Sequence, residues 1–572
     1  MLRSQQQRSA GAEIDPLYYA MGWTWEDLGK RKVIIESTYG DSHPGSSHLN
    51  SLVEQAFYGA LESGSMPARY YTTDICDGVC QGTAGMSYSL LSREYIAAMV
   101  EIHCATQPVD GLVLISSCDK AIPAHLLGAA RCGLPAIFVP GGSMLAGADM
   151  MACDQMWELE RRVGEGRLDA AEYRLMQTAA CPSAGACQGM GTASTMQVIV
   201  EALGLTLPGF SLVPTGYSEL ARCARAAGRK IGHLIDNGLS IDRIVTEKSL
   251  HNAIVVHSAV CGSTNAVLHL SAFAQELGLE IDLELFDGIH REIPVLVDVQ
   301  PVGKYPTEWF WAAGGVMRVL DLLRDHIYLD ALTVTGRTMG ENLEEWRASA
   351  QHDIHSRYLA NCGISPEQVI RPPDAPFSPE GGLAILRGNL CPEGAIVKHA
   401  AVVPEMQRHV GAACVYDDED EAIRDLLEGK IQPGSVTVIR YQGAKAAGMP
   451  EMFRISDALA RKPELVRTTA IVTDGRYSGF TNGPAIGYVA PEAYAGGPLA
   501  VVQDHDLIEI DIPNRSLRIV GVGGERQSPD EVHSILQERM REWKQPEIPV
   551  KNGALSVFRK LIGNPLRGDR LL

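Results

Sequence analysis

Between residues 32 and 142 the chain alternates two periodicities, and that alternation limits its folds more than any other feature. The runs "KVIIES" (32–37), "YYTTDI" (70–75), "GLVLISS" (111–117) and "PAIFVPGG" (135–142) read as strands. Helical patterns separate them: "SSHLNSLVEQAFYGALESG", "SYSLLSREYIAAMVEIHCA" and "AIPAHLLGAARCG". Strand, helix, strand at this spacing implies parallel βαβ units. In such sheets ligands bind beyond the carboxyl ends of the strands. The polar clusters "ESTYGDSHPGSS", "CDGVCQGTAG", "SSCDK" and "PGGS" all fall at those ends.

The texture changes after a proline-rich break, "IRPPDAPFSPEGG" (370–382), which reads as a linker. Beyond it come short runs spaced by Gly and Pro: "AAVVPEM", "SVTVIRY", "TTAIVTDG" and "LIEIDIPNRSLRIVGV". One helical stretch, "DEDEAIRDLLEGK", interrupts them, and "SPDEVHSILQERMREWKQ" follows them. The predicted class is α/β: an N-terminal parallel-sheet α/β domain (1–370), a linker (371–382), a mostly β, barrel-like C-terminal domain (383–540) and a tail (541–572).

The formal net charge of −19 argues against a general nucleic-acid binder. The apolar runs are too short for a membrane span, and "MLRSQQQRSAGAEID" lacks the apolar centre of a signal peptide. The cytoplasm is therefore the expected compartment, and the 13 cysteines do not read as a disulfide framework. Most are expected to be small buried hydrophobes. Cys76, Cys80, Cys118 and Cys187 stand apart because polar, Gly-rich sequence flanks them.

Cys118, Asp119 and Lys120 are consecutive, directly after a buried strand. An acid and an amine there are costly unless they pair or bind a metal, and a thiolate needs a cation or metal beside it. In "CPSAGACQGMGTASTM" (181–196) a Gly-rich turn is expected to carry Cys187 into a helix N-terminus, where a thiolate is stabilised. Separated single cysteines on glycine turns suit an iron–sulfur cluster better than zinc. Asp77 and Asp119 share the strand-end face and could hold Mg²⁺. Glu451 in "YQGAKAAGMPEM" and Ser478 in "TDGRYSGFTNGPAIG" lie on Gly-rich loops of the second domain. No G-x-S-x-G elbow surrounds Ser478, so a conventional serine hydrolase is unsupported.

Taken together, "DGVCQGTAGMSYSLLSRE", "SSCDK", "GACQGMGTASTM", "CGSTNAVLHL", "RGNLCPEGAIVK", "GMPEM", "TDGRYSG" and "DIPNR" resemble the IlvD/Edd dehydratases. That family comprises dihydroxy-acid dehydratases, sugar-acid (aldonate) dehydratases and 6-phosphogluconate dehydratase. The resemblance spans about residues 30–525. It implies a hydro-lyase that uses an iron–sulfur cluster, 2Fe–2S before 4Fe–4S, and Mg²⁺. By position it implies Cys118 and Cys187 as cluster ligands, Asp77, Asp119 and Glu451 as magnesium ligands, and a carbamylated Lys120 joining the magnesium shell. Ser478 would be the base. The substrate would be a small hydroxy acid, with no nucleic-acid or membrane partner, and the protein a homodimer or homotetramer.

The sequence departs from the family in places. Where members with three cluster cysteines carry "PCN" before "HL", this chain has "PGSSHL", with Gly45 at the cysteine position. A third thiol would then come from Cys76, the preferred candidate, or from Cys80; otherwise the ligand is inorganic or water. "YQG" replaces "YEG" at Gln442, and "ESTYGDS" replaces a stretch that usually opens with Asn. These changes are expected near the substrate. They favour a sugar acid over the alternative, dehydration of 2,3-dihydroxyisovalerate to 2-ketoisovalerate in branched-chain amino acid biosynthesis. A non-catalytic iron–sulfur sensor is the reading outside the enzyme class, and Lys120, Glu451 and Ser478 argue against it.

Overall fold

The computed structural model describes residues 1–349, 351–479, 483–549 and 552–571. The first sheet has four parallel strands: β1 (Arg31–Ser37), β2 (Ser65–Tyr71), β3 (Gly111–Ser116) and β4 (Ala136–Pro140), in spatial order β2-β1-β3-β4. β3 and β4 are buried along their whole length, as expected of strands covered on both faces. β2 lies at an edge and is half exposed. It begins and ends earlier than "YYTTDI" suggests. Its neighbour β1 stops at Ser37, so after the bond from Thr72 N–H to the Ser37 carbonyl the chain has no strand to pair with.

The helices that matter for the site are α1 (Leu49–Glu62), α2 (Asp77–Cys80), α3 (Ser89–Thr106), α4 (Ala121–Cys132), α5 (Thr192–Ala202) and α6 (Asn265–Glu276). α4 starts immediately after Lys120 and closes on Gly133, whose φ of 60° places it in the left-handed conformation that glycine adopts freely. Cys118, Asp119 and Lys120 therefore occupy the turn between β3 and α4. From Gly141 to Leu383 the named elements among the described residues are helical, and extended pairing is confined to isolated bridges.

The second sheet contains nine strands among the described residues: β5 (Ala384–Leu386), β6 (Gly394–Val397), β7 (Arg408–Tyr416), β8 (Val436–Ile439), β9 (Ala470–Thr473), β10 (Ala485–Ala490), β11 (Leu507–Asp511), β12 (Ser516–Val522) and β13 (Glu525–Arg526). The sheet curls so far that residues after β5, at one end, reach β12 near the other. Leu517 N–H donates to the Arg387 carbonyl at 2.9 Å, and Asn389 Nδ2 donates to the Ile519 carbonyl at 2.9 Å. This is the barrel-like β domain expected from the sequence, with one added feature. Its middle, β7-β8-β9-β10, is parallel, with α7 (Glu419–Leu427) crossing between β7 and β8 and α8 (Phe453–Ala460) between β8 and β9.

The tail does not dangle. Its helix, Ala554–Leu561, buries Phe558, and Ile562 and Leu566 follow it into the core shared with the first sheet. Among the described residues no helix is long and apolar enough to cross a membrane.

Candidate active site

A cavity of about 320 Å³ opens where the strand ends of the first sheet meet loops of the second. Cys76, Asp77, Cys118, Asp119, Cys187, Glu451 and Ser478 all line it. Lys120 stands behind the wall, fully buried, with Nζ 2.7 Å from Asp77 Oδ2. The residues singled out in the sequence thus converge on one space, although they are spread over about 400 positions.

Three carboxylates form one group: oxygens of Asp77, Asp119 and Glu451 lie within 4.8 Å of one another. Asp77 opens α2 and accepts from Ser89 Oγ (2.8 and 2.9 Å), Lys120 Nζ and Arg476 NH2 (3.2 Å). Burial raises its pKa, but the Lys120 and Arg476 charges outweigh burial and hold it at about 2. Asp119 makes no hydrogen bond to a cation among the described residues: burial, and next the Asp77 charge, outweigh the Lys120 charge and push it up to about 8. Its Oδ1 accepts the Ala193 N–H at 2.9 Å, in the first turn of α5. That helix end is where the sequence suggested Cys187. The helix begins only at Thr192, so residues 188–191 separate Cys187 from it, and the free N–H goes to Asp119 instead.

Glu451 is held by Asn265 Nδ2 (2.7 Å) and Arg476 NH1 (2.5 Å). Arg476 is a site residue that sequence reasoning missed. It lies inside the quoted "TDGRYSG" but earned no role there. It is fully buried, ties Asp77 to Glu451, and donates from Nε to the Met449 carbonyl. Buried arginine between two acids is the local signal, and it is visible only once the loops are brought together.

The thiols form the second group. Sγ of Cys76 and of Cys118 and a ring nitrogen of His43 lie within 4.8 Å of one another. A hydrogen bond between the two free thiols holds Cys76 down to about 6, while the same hydrogen bond and burial raise Cys118 well above the usual range. Cys80 sits elsewhere, over the turn at residues 83–85, and does not line the cavity. His43 was also missed.

Ser478 lies on the loop after β9, and its two neighbours are pinned through their carbonyls. Tyr477 O accepts from Thr264 Oγ1 (2.6 Å) and Tyr488 OH (2.7 Å), and Gly479 O accepts from the buried Lys398 Nζ (2.7 Å). Gly479 must be glycine, since a Cβ there would come within 2.4 Å of the Met190 carbonyl. Lys398 is a third residue that the sequence did not reveal.

The donor sets fit the metals that the resemblance implies. Three clustered carboxylate oxygens match the oxygen preference of Mg²⁺. Two adjacent thiols, with Cys187 lining the same cavity, match the sulfur preference of iron–sulfur clusters. The remaining wall is mostly apolar, with Val79, Met144, Trp157, Ala186 and Phe453. Gln442 does not line it: its side chain donates to the Asp417 and Arg440 carbonyls. Neither does any residue of 36–42. The departures that pointed to a sugar acid therefore do not line the cavity.

Comparison with known proteins agrees with this geometry. Residues 30–342 match the model of the dihydroxy-acid/6-phosphogluconate dehydratase N-terminal region, and residues 368–568 match that of the C-terminal region. The chain is 41% identical over 558 residues to a dihydroxy-acid dehydratase of Caldanaerobacter subterraneus, covering 96% of each chain. It is 39% identical over 558 residues to that of Acetivibrio thermocellus, again covering 96% of each. With the protein of the same name from Methanosarcina barkeri the identity is 41% over 507 residues, 88% of this chain and 89% of the relative.

Proposed function

Because the chain belongs to the dihydroxy-acid/6-phosphogluconate dehydratase family and is a hydro-lyase, we propose that it converts a branched-chain 2,3-dihydroxy acid, 2,3-dihydroxyisovalerate, to the 2-keto acid. The observation that carries the reading is the similarity, over nearly the full chain, to proteins named dihydroxy-acid dehydratase. The apolar wall supports the same substrate. A sugar acid brings further hydroxyls, and Val79, Met144, Trp157 and Phe453 offer them no partners, so they would depend on the few polar side chains of the wall, Gln81, Thr192 and Ser194. The sugar-acid preference drawn from the sequence is set aside on both grounds.

In this reading Asp77, Asp119, Glu451 and a carbamylated Lys120 hold Mg²⁺, and Cys118, Cys187 and Cys76 hold an iron–sulfur cluster of the 2Fe–2S kind. When bound, the two groups would supply Lewis acidity that stabilises charge developing on the substrate and its leaving hydroxyl. The chain's own residues do the rest. Ser478 Oγ takes the proton from the carbon bearing the 2-hydroxyl, and the carbonyl anchors on either side fix where that oxygen points. A serine oxygen can act so only as an alkoxide, which requires a cation close to that oxygen. The 3-hydroxyl leaves, and the enol product tautomerises to the keto acid.

Charge balance supports the modified lysine. With the three carboxylates ionised, as metal binding requires, Lys120 and Arg476 leave the group with a net charge of −1. Turning the ammonium into a carbamate while adding Mg²⁺ leaves that net charge the same, so the buried site can switch states without accumulating charge.

The cytoplasm and a homodimer or homotetramer remain part of the proposal. Expression in a host lacking its own dihydroxy-acid dehydratase tests the substrate: growth without branched-chain amino acids supports it. Failure to grow, with soluble and metal-loaded protein present, counts against it.

A further inference from the structure

His43 is 5% exposed and belongs to no motif that carried the functional reading. It lies two residues before Gly45. Its Nε2 meets Asp74 Oδ1 at 2.9 Å and Ser46 Oγ at 3.1 Å. A carboxylate only accepts, so Nε2 carries the proton, and in the neutral ring Nδ1 keeps a lone pair. Nδ1 is buried and has no hydrogen-bond partner among the described residues. An acceptor left unpaired in the interior is costly, so its surroundings indicate what it is for.

Those surroundings are thiols. A His43 ring nitrogen, Cys76 Sγ and Cys118 Sγ fall within 4.8 Å of one another. Gly45 locates the meeting point: a Cβ built there would lie 3.2 Å from His43 Nδ1 and 3.1 Å from Cys118 Sγ. A side chain at 45 would thus enter the same space, and the residue there has none. The carboxylate–imidazole pair behind Nδ1 is the arrangement that orients histidine toward a metal and raises its basicity. Iron in these clusters accepts imidazole nitrogen as well as thiolate sulfur.

We propose that His43 is a ligand of the iron–sulfur cluster, bound through Nδ1 in place of Cys76 among the three ligands named above, and supplies with nitrogen the donor that Gly45 lacks. Asp74 is its positioning residue. The proposal rests on the cluster reading above, and its test separates the two.

The anaerobically reconstituted full-length protein, grown with ¹⁵N-histidine and reduced, is examined by pulsed electron paramagnetic resonance. The expected spectrum shows a strongly coupled nitrogen that changes with the label and disappears in His43→Ala, while Ser46→Ala keeps it. His43→Ala should also lose iron on gel filtration, and adding Gly45→Cys should restore it. Asp74→Asn should weaken iron retention by about 10–100-fold. Circular dichroism identifies any variant that fails to fold, in which case the labelled wild-type spectrum decides. A visible cluster without strongly coupled histidine nitrogen overturns the role of His43 and leaves the cluster reading standing. Absence of any cluster in the reconstituted wild type overturns both.

Discussion

Lys120 and Asp77 come from different strand ends, 43 residues apart, yet Lys120 Nζ sits 2.7 Å from Asp77 Oδ2 with both side chains buried. The contact places the lysine at the edge of the carboxylate group. A carbamate forms from a neutral amine and carbon dioxide, and a guanidinium cannot form one. Lys120→Arg should keep the fold and the visible cluster absorption and lose Mg²⁺-dependent turnover. ¹³C nuclear magnetic resonance of protein equilibrated with ¹³CO₂ should show a carbamate signal in the wild type and none in the variant. An active, Mg²⁺-loaded wild type without that signal removes the modified lysine from the account.

Ser478 is assigned the proton transfer, so Ser478→Ala should retain iron and magnesium while turnover falls by about 10²–10⁴-fold. Lys398 reaches the same loop from behind, through the Gly479 carbonyl. Lys398→Met should lower kcat by up to about 10²-fold, the scale of a small misplacement, with metal content unchanged. Near-normal turnover of Ser478→Ala would exclude it as the base.

Arg476 joins Asp77 and Glu451 in the interior. Removing one partner of a buried ionic group costs about 3–5 kcal/mol. Arg476→Met should destabilise the metal-free protein by that order. Mg²⁺ then replaces part of the lost charge, so its stabilising effect in thermal unfolding should be larger in the variant than in the wild type. Equal magnesium effects in both would show that Arg476 does not share the carboxylates with the metal.

Glu201 lies on α5 and accepts the Gly209 and Ser211 N–H groups at 2.6 and 3.0 Å. Burial dominates these bonds and raises its pKa from 4.5 to about 7. Below 4.5 the group is protonated in both folded and unfolded chains. Between 4.5 and 7 the unfolded chain releases its proton first, so stability falls as pH rises, by up to about 3 kcal/mol, and levels above 7. Glu201→Gln should flatten that slope in denaturant midpoints measured from pH 4 to 8. An unchanged slope would assign the pH dependence elsewhere.

How much of this could be read in the sequence depends on the range of the contacts involved. The turn at Cys118–Lys120 was legible because an apolar strand and three polar residues adjoin in the chain. The curled second sheet was legible from its short spaced runs, but its parallel middle was not, since a crossover reads locally like any other loop. Arg476, Lys398 and His43 could not be assigned roles. Arg476 finds Asp77 across 399 positions, Lys398 finds Gly479 across 81, and His43 finds Asp74 across 31. Gln442 misled for the converse reason: it borders a site loop in sequence while its side chain turns to Asp417 and Arg440.

The central claim is the reaction and its substrate. Purified protein reconstituted anaerobically with iron, sulfide and Mg²⁺ is assayed for keto-acid formation from 2,3-dihydroxyisovalerate and from a panel of aldonates. The account predicts 2-ketoisovalerate, with kcat/KM for the branched-chain acid at least about tenfold above any aldonate, as a mostly apolar wall favours. Turnover of an aldonate with none of 2,3-dihydroxyisovalerate would contradict it.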